Sequence, residues 1–329
     1  MKDSLNSFIN LKDNDLISGF NSKDLAHLIY LLDSYLISYK DKLNFDENDF
    51  TFGLEIETEH ANVENIMQYI GDFPMWYYQT DNSLVSGIEI NSPILKNNES
   101  TFTSLKEICS FLRDNSKICD NAGAHIHIGT NVFTSVEKFY NFLLLWCKYE
   151  KVIYRFSYGE YMAGRKGLNS YAYSFLPNMN KLNKYFDKIF YSNNIYERNY
   201  NEEQLYEYLY EMDKYCSLNL NNVEKLGLSK ECNTIEIRCP NGTINEIIWQ
   251  NNLNFFLNFI YYAINNNIDL DYKQGRCDYN ELYLKDAIIL SDLIFNNNQD
   301  KIDFLKQYIK KIDDFNYKYE NRVKLTKIR

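Results

Sequence analysis

Four short segments alternate an acid, an imidazole, an amide or a guanidinium with Leu or Ile. They are Leu54-Glu55-Ile56-Glu57, Ile88-Glu89-Ile90-Asn91, His125-Ile126-His127-Ile128 and Ile235-Glu236-Ile237-Arg238. In a β-strand the side chains at i and i+2 share a face. The spacing therefore predicts strands with one apolar face and one face carrying Glu55, Glu57, Glu89, His125, His127, Glu236 and Arg238. If the strands are neighbours, these carboxylates raise one another's pKa unless a counter-charge is present. Hard divalent cations supply one: Mg²⁺ takes carboxylate oxygens, keeps waters and bridges substrate phosphates. The competing reading is the solvated face of an antiparallel sheet. That plain reading suits any single Glu-x-Glu, whereas four segments together favour chemistry. A zinc hydrolase is a further reading, because His-x-His opens several such sites and catalytic zinc takes three protein ligands. No His follows His127, so a zinc site here would have to use His125, His127 and a Glu.

The elements that must position these residues follow from periodicity. Thr51–Thr58, Trp76–Gln79, Val85–Pro93, Ala124–Gly129 and Thr234–Cys239 read as strands, with a turn at Asp81-Asn82-Ser83. Between them, Asn62–Gly71 reads as a helix ending on Gly71, and Phe102, Leu105, Ile108 and Leu112 mark the buried stripe of another. Thr134-x-x-Glu137 and Thr243-x-x-Glu246 read as capping boxes opening two more. Residues 156–180 are irregular, helices fill 181–214, and Glu281–Tyr319 reads as helical and peripheral. Leu25, Leu28, Ile29, Leu32 and Leu36 predict a helix near the start, with Ser22 as its N-cap. The expected architecture is one α+β unit with three parts. These are a helical N-terminal extension (1–45), a central domain that carries the four segments (46–265) and a helical C-terminal extension (266–329).

Composition narrows the function classes. The 329 residues carry 45 acidic against 35 basic side chains, a net charge of −10. That balance argues against a nucleic-acid partner, which calls for a basic footprint. It leaves nucleotide ligands open, because a bound divalent cation inverts the local sign. The seven Cys are scattered without a Cys-x-x-Cys pair, which points to free thiols in a reducing compartment. No stretch resembles a signal peptide or approaches the ~20 apolar residues of a membrane span, so a soluble, cytoplasmic protein without a membrane partner is expected.

The same segments resemble the amidoligase family, within the wider glutamine synthetase and γ-glutamylcysteine ligase superfamily. The resemblance starts at Phe52-Gly53-Leu54-Glu55-Ile56-Glu57 and runs through Asp81-Asn82-Ser83-Leu84, Gly87-Ile88-Glu89-Ile90-Asn91-Ser92-Pro93 and Gly123-Ala124-His125-Ile126-His127. Asn219-Leu220, Thr234-Ile235-Glu236-Ile237-Arg238 and Asn241-Gly242-Thr243 complete it, over about residues 50–260.

The resemblance implies a curved antiparallel β-sheet with a concave catalytic face and helices on its convex side. It also implies ATP with Mg²⁺ (or Mn²⁺), and an amide or isopeptide bond formed through an acyl phosphate. By it Glu55, Glu57, Glu89, His125 and Glu236 are metal ligands, His127 a nucleotide contact and Arg238 a phosphate contact. Asn219 is placed facing the ligand, with a helix-end or turn role as its alternative. Arg165, in Gly164-Arg165-Lys166-Gly167, matches a family Arg only approximately, because Tyr171-Ala172-Tyr173-Ser174 delays the proline to Pro177. It is read either as a catalytic cover over the phosphates or as part of a solvated loop. Asp81 is the candidate base for the attacking amine, with a hairpin-turn Asp as the alternative. The implied substrates are a carboxylate and an amine on a small molecule, a peptide or a protein side chain. A zinc-dependent hydrolase and a non-catalytic nucleotide-binding relic of the same fold remain the competing functions, and oligomeric state stays open.

Overall fold

The computed structural model describes residues 32, 37–45, 49–268 and 283–310. Six strands are present among them: β1 (Phe52–Thr58), β2 (Tyr77–Gln79), β3 (Ile88–Asn91), β4 (Ala124–Gly129), β5 (Leu218–Asn219) and β6 (Thr234–Ile237). They form one sheet in the order β2-β3-β1-β4-β6-β5, every pair antiparallel and the sheet open at both edges. The expected alternation is realised. Leu54, Ile56, Ile88, Ile90, Ile126, Ile128, Ile235 and Ile237 are all buried in one hydrophobic core. Register then aligns the polar positions into rows. Glu57 pairs with Glu89 and Glu89 with Gln79; Glu55 pairs with both Asn91 and His125; His127 pairs with Glu236, which pairs with Asn219.

Nine α-helices accompany this sheet among the described residues. They are α1 (Val63–Asp72), α2 (Glu99–Asn115), α3 (Val136–Ser157), α4 (Leu168–Tyr171), α5 (Leu176–Phe190), α6 (Ile195–Glu211), α7 (Glu246–Asn265), α8 (Leu284–Ile294) and α9 (Asn298–Ile309). Helices α3 and α7 are buried along most of their length and meet through stacked Trp146 and Phe256. The chain's many Asn residues have a structural use here. Asn62, Asn98, Asn194, Asn245 and Asn297 each open a helix by accepting a backbone N–H with the side chain.

Several boundaries differ from expectation, and capping chemistry explains them. Helix α3 starts one residue later than the Thr134 box, because the Ser135 hydroxyl accepts from Lys138 N. Helix α7 is capped by Asn245; the Thr243 hydroxyl accepts from Asn245 N and meets Glu160 instead. Gly71 stays inside α1, whose C-cap is Phe73. The irregular stretch contains α4 and the start of α5. The expected N-terminal helix lies outside the described residues except for Leu32, which is buried in the core.

The largest correction concerns the C-terminal helices, which are not peripheral. Phe304 stacks on both Phe156 and Phe255, and Tyr308 is fully buried. No helix among the described residues is long and apolar enough to cross a membrane.

Candidate functional site

The polar sheet face gathers its side chains into two groups joined by one histidine. In the first, Glu55, His127 and Glu236 each offer an atom within 4.8 Å of the others; in the second, Glu57, Asp81 and Glu89 do the same. His125 stands between them. Its Nδ1 lies 2.8 Å from Glu55 Oε2 and 3.4 Å from Glu236 Oε1, and its Nε2 lies 3.5 Å from Glu57 Oε1. The five expected metal ligands are therefore neighbours, divided between two clusters. Two carboxylates thus face Nδ1 and a third faces Nε2. That Nε2 is buried and makes no hydrogen bond among the described residues.

Each acid is held by a partner supplied by the sheet or its loops. Asn91 Nδ2 donates to Glu89 Oε1 over 2.8 Å, and Gln79 donates to the same oxygen. Gly123 N donates to Glu57. Asn219 Nδ2 donates to Glu236 Oε2 over 2.6 Å, while Arg238 bonds the other oxygen of Glu236. Arg238 also donates through Nε to Tyr171 O at 3.3 Å. Asp81 comes from the turn before β3. Its Oδ1 accepts from Ser83 N at 2.7 Å, so it is a turn Asp and also a member of the acidic group.

Electrostatics follow from that crowding. Burial disfavours the charged form of Glu55, but hydrogen bonds and positive charge from His125 and His127 hold its carboxyl well below the usual range. Burial followed by the charge of Glu55 pushes Glu89 up, against the donors Asn91 and Gln79. For His127, burial opposes protonation, yet the hydrogen bond it donates to Glu55 and the charges of Glu55 and Glu236 raise its pKa.

Arg165 is not in a solvated loop. The residue is 2 % exposed, its Nη1 donates to Pro240 O at 3.2 Å and its Nη2 to Arg238 O at 3.1 Å. A Cβ on Gly123 would overlap the Arg165 guanidinium and come within 2.9 Å of His125 Nε2. The absent side chain thus makes the slot that lets this cation lie beside His125. Burial lowers the Arg165 pKa, and the charge of Glu57 opposes that effect.

The period-two spacing grouped the polar face as the structure has it, without Gln79, Gly123 and Thr234 as its supports. Thr234 Oγ1 lies 3.2 Å from His127 Nδ1. Gln79 and Thr234 continue the period-two pattern of their strands, which is the signal that could have found them. Gly123 carried only a motif position.

The donor set fits a hard divalent cation. It is dominated by carboxylates, it includes a buried imidazole nitrogen that makes no hydrogen bond among the described residues, and its acids carry repulsion that a cation would relieve. Residues 76–260 match a family described as "Putative amidoligase enzyme". That span includes β2 to β6 and leaves out β1, which carries Glu55 and Glu57. No curated protein matches the chain.

Proposed function

This chain belongs to the amidoligase family, and from that premise we propose that it is an ATP- and Mg²⁺-dependent carboxylate–amine ligase working from the acidic sheet face. Family membership gives a ligase-type function; the nucleotide, the metal and the intermediate are our reading. The observation that carries it is the pair of acidic groups, Glu55–His127–Glu236 and Glu57–Asp81–Glu89, linked by His125 and bordered by Arg165 and Arg238. Carboxylates in such number, next to guanidinium groups, suit metal-neutralised phosphates. A glutamine synthetase-like fold belongs to the same proposal, supported by the open antiparallel sheet with one chemically equipped face.

On this reading Glu55, Glu57, Glu89, His125 and Glu236 would hold the metal ions, which when bound neutralise phosphate oxygens. Asp81 and His127 lie within ligand reach of the same groups, and His127 also keeps the nucleotide-contact role. Asn219 orients Glu236 from the β5 edge. A substrate carboxylate oxygen attacks the γ-phosphorus of ATP, the bond to the β,γ-bridging oxygen breaks, and ADP leaves. An amine then attacks the acyl carbon and phosphate leaves with the C–O bond electrons. The amine's proton passes to a carboxylate, for which Asp81 at the sheet edge is the candidate. Arg238, whose planar fork suits phosphate, stabilises the transferring group.

The test is ADP release and hydroxamate formation with Mg·ATP, hydroxylamine and a panel of carboxylic acids. The proposal expects ADP release to depend on the carboxylate and to match hydroxamate formed. ATP turnover indifferent to any carboxylate, or purified protein carrying tight stoichiometric zinc, would overturn it.

A further inference from the structure

The Asn241-Gly242-Thr243 segment follows β6 and carries none of the ligands described above. We infer that Asn241 is a positioning residue that sets the Arg165 cation beside Glu57 and His125. Asn241 is 3 % exposed, and its side-chain amide is fully engaged. Its Oδ1 accepts from Arg165 N at 2.8 Å, and its Nδ2 donates to Ala163 O at 2.9 Å and Tyr158 O at 3.3 Å. All three contacts fall on residues 158–165, the segment leading out of α3. The backbone of Asn241 is fixed as well: its N–H donates to Ser157 O at 2.9 Å, it bridges Gly123, and Gly242 N donates to Ala122 O.

One side chain therefore folds the 158–165 segment onto the end of β6. Arg165 is then within reach of the carbonyls of 238 and 240, and its guanidinium lies in the slot over Gly123. The arrangement acts at a distance, through charge. Arg165 is almost wholly buried and its fork is used on backbone oxygens, so it serves as a fixed positive centre beside His125. Such a centre attracts a polyphosphate and repels a divalent cation, and in a buried setting both effects are strong. This inference rests on the metal-and-nucleotide reading of the same face.

The test uses the full-length protein and two probes, Mn²⁺ alone and tripolyphosphate in saturating Mn²⁺, each titrated by calorimetry. The neutral Arg165→Met variant should bind tripolyphosphate at least tenfold more weakly and Mn²⁺ more tightly. Asn241→Ser and Gly123→Ala should reproduce that opposite-signed pair of changes. Each should also add little when combined with Arg165→Met, because both act through the same cation. General structural damage weakens both probes together, so that result overturns the inference, as does an additive double variant or wild-type affinity in Asn241→Ser. If Asn241→Ser does not fold, Asn241→Gln, which keeps the amide but moves it by one methylene, decides on the same criteria. Wild-type protein that binds neither probe overturns the functional reading itself, and the inference with it.

Discussion

Glu89 shows what crowding among buried acids does to a single side chain. It is buried, it faces Glu55 and Glu57, and its pKa is raised first by burial and next by the charge of Glu55. A folded pKa above the ordinary carboxylate value means that ionisation destabilises the fold as pH rises past that value. Glu89→Gln keeps an acceptor for Asn91 and Gln79 while removing the charge. Near neutral pH the metal-free variant should melt higher than metal-free wild type, by about 2 °C or more. It should also lose most of the stabilisation that Mn²⁺ confers on the wild type. Thermal melts with and without Mn²⁺ measure both halves, and a lower melting temperature for the metal-free variant would contradict the argument. Glu236→Gln tests the other group. It retains shape but removes a ligand that Asn219 and Arg238 hold in place, so Mn²⁺ affinity should fall at least tenfold by calorimetry.

At the scale of elements, α9 is tied to the chain ahead of the sheet by Lys40. The Lys40 ammonium lies 2.8 Å from Asp300 Oδ1 and 3.4 Å from Asp303 Oδ2. Two acids share one cation, and Asp303 is the one left short. Burial, only partly countered by Lys40, pushes its pKa up to about 6 from an ordinary 3.8. The folded pKa is the raised one, so the cost of ionising Asp303 grows from about pH 4 to pH 6 and is constant above. The melting-temperature difference between Asp303→Asn and wild type should therefore move in favour of the variant across that window and then level off. A difference that stays flat from pH 4 to pH 7 would exclude this account. The helix caps are the second device at this scale. Asn98 accepts from Thr101 N at 3.0 Å to start α2, the helix that buries Phe102, Leu105 and Ile108. Asn98→Ala should cost about 1 kcal/mol, readable in urea unfolding.

For the whole molecule, the question is whether the C-terminal helices are an appendage or part of the core. Phe304 stacks on Phe156 of α3 and Phe255 of α7, and Gln307 Nε2 donates to both Phe156 O and Asn252 Oδ1. Lys310 Nζ reaches Gly159 O at 2.8 Å, at the start of the segment that ends in Arg165. Phe304→Ala should thus cost about 3–5 kcal/mol, as large aromatic truncations in cores do. A loss under about 1 kcal/mol in chemical denaturation would return these helices to the periphery.

The sequence alone determined which side chains share a face. Period two is a local property of an extended backbone, so Glu55 with Glu57, Glu89 with Asn91, and His125 with His127 could be grouped without knowing any partner strand. It also determined the family, because the motifs are contiguous and keep their order. Strand order came only from the tertiary structure, with β1 between β3 and β4 and β6 beyond β4. Pairing across 30 to more than 100 residues is set by how the whole apolar layer packs, and no local spacing records it. The division into two acidic groups bridged by His125 follows from that register. So does the burial of Arg165, whose Gly-flanked position reads equally as a cover over phosphates or a solvated loop until Asn241 and Gly123 are brought against it. Burial depends on what arrives from elsewhere in the chain. Local sequence therefore fixed the chemistry available on the face, and the fold fixed its distances and charges.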